Sequence, residues 1–297
     1  MSWQKPLLNR WLAFAEKPFL ARVEDPPRIR RRFERTARLM FHPPRGTAIE
    51  RIQLGDLEAL RVRPPGPVHR TLLYFHGGAY IFGSPETHSA LLAHIARAAQ
   101  AEAILPRYPL APEHQFPAAP DAALRAWDAL ETAHPVILGG DSAGGGLALS
   151  LLGMLCARGG ARPAGLFALS ALTDMTYSGA SISVNAEREV LLPAGRARDM
   201  TAFYLPPGVD PADPRASPLF AEFQGAPPVW LGVGDTEILL DDTRRMVACL
   251  RAQGTDVTLQ IAQDLPHVWP IFHNTLPEAR ATIAQVGAWI RRVAPES

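Results

Sequence analysis

Residues 139–146 read Gly139-Gly140-Asp141-Ser142-Ala143-Gly144-Gly145-Gly146. Within them, Gly140-x-Ser142-x-Gly144 sets a serine between glycines at minus two and plus two. The apolar run Pro135-Val136-Ile137-Leu138 before it suits a short strand, and Leu147-Ala148-Leu149-Ser150-Leu151-Leu152 after it suits a buried helix. Strand, tight turn and helix are the context in which such a serine can act as a nucleophile. A side chain larger than hydrogen at Gly140 or Gly144 would collide with backbone as the chain reverses. The serine itself is expected in a strained conformation, its hydroxyl exposed at the carboxyl edge of a sheet.

Strand-like and helix-like segments alternate on both sides of this turn. Strands are expected at 49–54, 57–63, 70–76, 102–108, 135–140, 165–171, 228–234 and 256–262, and helices at 87–100, 118–132, 143–158, 239–253 and 277–293. Two adjacent strands followed by alternating units imply an α/β fold with a mostly parallel eight-stranded sheet, covered by helices on both faces. Two stretches break the rhythm. Residues 177–215 are longer than one crossover helix and suggest a lid or part of a cap. Residues 1–45 are rich in Arg and aromatics. Ile29, Phe33, Ala37 and Met40 share one helical face, with Arg28, Arg31, Arg32, Arg35 and Arg38 mostly around the other. That pattern reads first as a helix packed on the body with a solvated basic face. The alternative is a membrane-surface or anionic-partner role.

The chain has 297 residues, 47% of them apolar, enough for a sizeable core. A net charge of +1 gives no global argument for a nucleic-acid partner. No run approaches the ~20 apolar residues of a membrane span, so no stable membrane insertion is expected. No apolar leader core precedes a small-residue cleavage site. Cys156 and Cys249 lack metal-ligand spacing and read as buried free thiols. A cytoplasmic protein is the resulting expectation.

A serine hydroxyl needs a base, an orienting carboxylate and amide donors for the oxyanion. His76-Gly77-Gly78-Ala79 follows the apolar run Leu72-Leu73-Tyr74-Phe75, so the N–H groups of Gly77 and Gly78, with that of Ala143, are the candidate donors. His76 reads as a brace for that loop. His267 follows the last strand and is the candidate base, with His273 its nearest rival; His88 and His94 are set aside on a helix. The acid should follow Val229-Trp230-Leu231-Gly232-Val233, where Asp235, Glu237, Asp241 and Asp242 compete, with Asp174 a further rival. Asp241 and Asp242 suit a helix start, and Asp235 a loop brace.

At these residues the chain resembles the hormone-sensitive-lipase-like (type IV) esterases of the α/β-hydrolase superfamily. His76-Gly77-Gly78-Ala79-Tyr80, Gly140-Asp141-Ser142-Ala143-Gly144-Gly145, the Glu237 loop and the His267 loop carry the likeness. So does Tyr108-Pro109-Leu110-Ala111-Pro112-Glu113-His114, with Phe116-Pro117-Ala118 after it. The blocks stand in the family's order over roughly residues 45–295. Two departures stand out: Ala79 replaces the commoner third glycine, and Pro109 replaces an arginine. Tyr108, Pro112 and Glu113 read as structural.

The resemblance implies an α/β-hydrolase fold and a Ser142–His267–Glu237 triad, Glu237 being the first residue of the family's Asp/Glu-x-Leu-x-Asp. It implies a helical cap built from residues 1–45 and about 177–215 on a catalytic domain of residues 46–297. Tyr80, Asp141, Tyr177 and Leu191 are the substrate-pocket candidates. The expected reaction is hydrolysis of small carboxylic esters with short or medium acyl chains, without metal or organic cofactor. Deacetylation of a decorated small molecule, or of an amide, is the alternative. A non-catalytic binder, like the plant hormone receptors related to these esterases, ranks below both. The family pairs through the edge of its sheet, so a homodimer is expected.

Overall fold

The computed structural model describes residues 2–296. Met1 and Ser297, the outer limits of the two expected units, lie outside the described residues. Eight strands form one sheet: β1 (Ala48–Leu54), β2 (Leu57–Arg63), β3 (Arg70–Phe75), β4 (Ala101–Pro106), β5 (Val136–Asp141), β6 (Gly165–Leu169), β7 (Val229–Gly234) and β8 (Val257–Ala262). Their spatial order is β1-β2-β4-β3-β5-β6-β7-β8. The β1–β2 and β2–β4 pairs are antiparallel; β3 to β8 run parallel. Each strand lies within two residues of its expected limits.

Strand β3 shows why the sheet is covered twice. All six of its residues are buried. Successive side chains of a strand point to opposite faces. Leu72 and Tyr74 therefore join one core, with Leu91 and Ile95 of α4 (Pro85–Ala99) and Val286 and Ile290 of α10 (Pro277–Val293). Leu73 and Phe75 join the other, with Ala122 of α5 (Ala118–Asp128), Leu147 and Leu151 of α6 (Ser142–Arg158), and Met246 of α9 (Leu240–Ala252). Ser84 starts α4: its Oγ accepts from Thr87 N, and Thr87 Oγ1 accepts from Ser84 N. Helix α5 stops at Asp128 rather than 132; beyond it, Thr132 Oγ1 accepts from His134 N in the turn that leads to β5.

The N-terminal stretch forms α1 (Gln4–Trp11), a π-turn (Leu12–Glu16), α2 (Lys17–Arg22) and α3 (Pro26–Met40). Leu8, Leu12, Ile29 and Ala37 are among its buried contacts with the body. The stretch after β6 carries α7 (Ser181–Val184), a 3-10 turn at Ala194–Arg196 and α8 (Ala197–Tyr204). The two stretches are tied together. Lys17 Nζ donates to the carbonyls of Ala186 and Glu189, at 2.9 and 2.6 Å, and Arg196 donates to that of Val23.

Arg30 of α3 makes two bonds to Glu113 and further bonds to the carbonyls of Ile81 and Ala111. It holds the Glu113 carboxyl down at about 2. An arginine from another part of the chain thus meets the segment in which Pro109 stands for the family's arginine. Cys156 and Cys249 are free thiols, and both are half-buried rather than buried. Among the described residues no helix is long and apolar enough to cross a membrane.

Candidate active site

Ser142 is the first residue of α6, directly after β5, and its φ is 52°. A non-glycine residue is strained there and persists only where its surroundings enforce it. The glycines do the enforcing. A Cβ on Gly140 would meet the carbonyl of Gly144, and one on Gly144 the carbonyl of Phe75. The hydroxyl so presented lies 2.9 Å from His267 Nε2.

His267 follows β8, and its Nδ1 is 2.7 Å from Glu237 Oε2. Glu237 is fully buried in the loop after β7. Its other oxygen, Oε1, accepts from Ser170 Oγ at 2.8 Å and from Gly234 N at 2.6 Å. Both carboxylate oxygens are therefore occupied, and the one facing His267 is fixed. With the proton on Nδ1, Nε2 is left as the acceptor of the serine proton. Burial disfavours an imidazolium at His267. The hydrogen bond and charge of Glu237, then the charges of Glu189 and Asp141, outweigh that, and the net displacement of its pKa is upward.

The competing carboxylates are engaged elsewhere. Asp235 accepts from Asp264 N at 2.7 Å. Asp241 accepts from Ser181 N, and Asp242 from the amides of Thr173 and Asp174. Burial pushes Asp242 up to about 7. Asp174 is bound by Thr176, Ser178 and Arg245. His273 is buried behind the site, its ring 4.4 Å from that of His94. His76 donates to Gly77 O and stacks between His88 and Tyr108. Burial, then the neighbouring His88, drives His76 down to about 3, so it stays neutral.

Two expectations need correcting. Gly77 N donates to Asp141 Oδ1 at 3.0 Å, so that amide is committed to a buried carboxylate and is not an oxyanion donor. Among the described residues no acceptor pairs with the amides of Gly78 and Ala79. The amide of Ala143 lies in the first turn of α6, where helix donors have no intrahelical partner. Tyr80 is not a pocket residue. It has positive φ, is 1% exposed, and its ring stacks on Tyr204 at 4.0 Å, inside the core.

Asp141, Tyr177 and Leu191 do line the cavity beside Ser142, which has a volume of about 200 Å³. Its walls are otherwise mostly apolar, with Leu12, Phe19, Phe33, Phe82, Leu172, Met200 and Ile238 among them. Asp141 supports the wall rather than the cavity. It accepts from Tyr74 Oη at 2.7 Å and faces His88 Nε2 at 3.3 Å. Tyr177 Oη lies 2.7 Å from Thr201 Oγ1.

Two residues at the site, Ser170 and Glu189, went unread in the sequence, and a third, His88, was set aside there. His88 reaches Asp141 from α4, Ser170 holds Glu237, and Glu189 accepts from the amides of Leu191 and Ile238. Their positions carry no motif. For Ser170, the end of the apolar run before the 177–215 stretch was the one available cue.

The profile of the alpha/beta hydrolase fold family matches residues 72–271. An acetyl-hydrolase of Streptomyces hygroscopicus is 39% identical over 249 residues, 82% of this chain and 83% of that one. An esterase of Acinetobacter venetianus is 32% identical over 80% of each. Among solved structures, EstE5, soaked with p-nitrophenyl butyrate, superposes with a TM-score of 0.92 at 35% identity over 99% of each chain. An esterase from the bacterial hormone-sensitive lipase family superposes with a TM-score of 0.91 at 34% identity over 98% of each. The chain belongs to the alpha/beta hydrolase fold family, and within it to the hormone-sensitive-lipase-like esterases.

Proposed function

We propose that the chain is a serine carboxylesterase that hydrolyses small-molecule esters of short to medium acyl chains. Ser142 Oγ attacks the ester carbonyl while His267 Nε2 takes its proton. Glu237 holds the Nδ1–H tautomer and stabilises the imidazolium that forms. The amides of Gly78, Ala79 and Ala143 receive the oxyanion. His267 then returns the proton to the leaving alcohol, and water resolves the acyl-enzyme. The supporting observation is the unbroken line from Oγ to Nε2 at 2.9 Å and from Nδ1 to Oε2 at 2.7 Å, at the wall of an apolar cavity. Residues 1–45 and 177–215 act together in this proposal as a cap that closes that cavity, over a catalytic domain of residues 46–297. Two free thiols fit a reducing, cytoplasmic setting. Strand β8, at the edge of the sheet, is where two chains would pair.

A fluorophosphonate probe tests the proposal first, and is expected to label Ser142. In a series of p-nitrophenyl esters from acetate to laurate, kcat/KM is expected to peak between butyrate and hexanoate and to fall beyond octanoate. Peak turnover on laurate, or none on any ester, overturns it. The acetyl-hydrolase relative favours a second reading, removal of an acetyl group from a decorated molecule. Matched phenyl acetate and acetanilide separate ester from amide cleavage.

The base works only when neutral. Its upward displacement therefore moves the rising limb of kcat/KM against pH above the ordinary 6.5 of histidine. A pH profile with its limb midpoint below 6.5 would contradict the role given to Glu237.

A further inference from the structure

Charge is distributed unevenly along the chain. Residues 1–45 hold eleven Lys and Arg against four Asp and Glu, a surplus of seven positive charges. The whole chain is at +1, so the other 252 residues carry a surplus of six negative ones. Much of the positive excess is exposed. Arg28, Arg31 and Arg35 recur at helical spacing on the outer face of α3, with Arg38 and Leu39 continuing it. Arg28, Arg35 and Arg38 form no ion pair among the described residues.

The neighbouring helix adds apolar surface. Lys5, Leu8 and Leu12 face the body from α1 and the π-turn. Trp3, Leu7, Trp11 and Phe14, on the opposite stripe, are exposed; Trp3 is 73% and Phe14 is 82% exposed. Leu39 of α3 is 79% exposed. Among the described residues, five of the nine large exposed apolar side chains thus sit on this one segment. A groove between the helices is lined by Trp11, Phe19, Arg28, Arg31, Arg35 and Leu39. Trp11 and Phe19 also line the cavity that holds Ser142, so the groove adjoins the active site.

We propose that this outer face of α1 and α3 is a docking surface for an anionic lipid bilayer. The docked chain lies on the membrane with its catalytic cavity beside the lipid surface. Tryptophan, phenylalanine and leucine next to a row of arginines is the composition of helices that lie in the headgroup layer. The arginines meet anionic headgroups while the exposed stripe of α1 enters the apolar boundary. A nucleic-acid backbone would use the arginines but leave Leu7, Phe14 and Leu39 in water. Docking is a binding property, so it is read without turnover.

The test is sedimentation of the full chain with phosphatidylcholine vesicles, with and without phosphatidylglycerol. Binding to the anionic vesicles is expected, at least tenfold tighter than to phosphatidylcholine alone, and weakening as salt rises. Arg35→Glu/Arg38→Glu is expected to weaken it by at least about tenfold, since each cationic side chain near the surface contributes. Trp3→Ser/Phe14→Ser is expected to weaken it similarly. Unchanged turnover of p-nitrophenyl butyrate in both variants reports an intact fold. Ser142→Ala is expected to bind vesicles like the parent chain, which separates this proposal from the ester reading. Four results overturn it: no binding at low salt, equal binding to both vesicle types, variants that bind like the parent chain, or capture of a DNA duplex but not vesicles. A dimer in light scattering that Trp3→Ser/Phe14→Ser dissociates, with no vesicle binding, also overturns it and assigns the face to a second copy.

Discussion

Replacing Ser142 with alanine is expected to lower kcat for p-nitrophenyl butyrate by about 10⁶-fold while leaving a folded protein. The size follows from how a nucleophile and its base work as a unit. Removing either one abolishes the acyl-enzyme route, and only the amide donors and substrate binding remain to assist attack by water. Little else depends on this hydroxyl. Among the described residues its one hydrogen bond is to His267 Nε2. The strained φ of 52° is enforced by the close approach of backbone at Gly140 and Gly144, which alanine leaves in place. The melting temperature is therefore expected to stay within a few degrees, as for a substitution that opens no core cavity. Mass spectrometry should find no fluorophosphonate adduct on the variant. Turnover above a tenth of the parent's would refute the assignment of Ser142.

The legible features were those set by local sterics. Glycine spacing around Ser142 is a packing requirement of the turn itself, and the structure has the close contacts that the spacing implies. The runs of β3 to β7 were legible for a similar reason, since a strand buried on both faces has little room for polar residues. Which group faces which was not legible. Glu237, Asp235, Asp241 and Asp242 lie within a stretch of eight residues, and no local rule decides which of them meets a histidine beyond the next strand. The family likeness pointed to Glu237.

The Gly77 reading failed for a related reason. A run of glycines shows that backbone comes close to something, but not which amide is already taken. Asp141, 64 residues on, takes the Gly77 amide. Contacts made across 67 residues by Ser170 and across 49 by Glu189 leave no mark on the local pattern. Tyr80 misled because Ala79 and Tyr80 both take positive φ, which turns the ring toward Tyr204 and away from the cavity.

Glu237→Gln against Asp235→Asn tests the choice of acid, and the structure makes the expected difference large. Glu237 Oε1 accepts from both Ser170 Oγ and Gly234 N, so in the glutamine variant that position must hold the amide oxygen. The NH2 group is then left facing His267 Nδ1, where only a donor–acceptor pairing with an unprotonated Nδ1 is satisfied. That fixes the proton on Nε2 and aims an N–H at Ser142, so the imidazole can no longer accept the serine proton. A loss of about 10⁴ in kcat is expected from this inverted tautomer, with the fold kept by the nearly isosteric side chain. The rising limb of any residual activity should also move to lower pH, because the leading cause of the upward displacement at His267 has been removed. Asp235 stands differently. Its Oδ1 accepts one backbone bond, from Asp264 N, and an asparagine oxygen can accept the same bond. Asp235→Asn is therefore expected to change kcat by no more than about threefold, within the effect of a surface substitution. Steady-state kinetics of the two variants decides the matter: an equal loss in both, or a greater one in Asp235→Asn, removes Glu237 as the residue that orients His267.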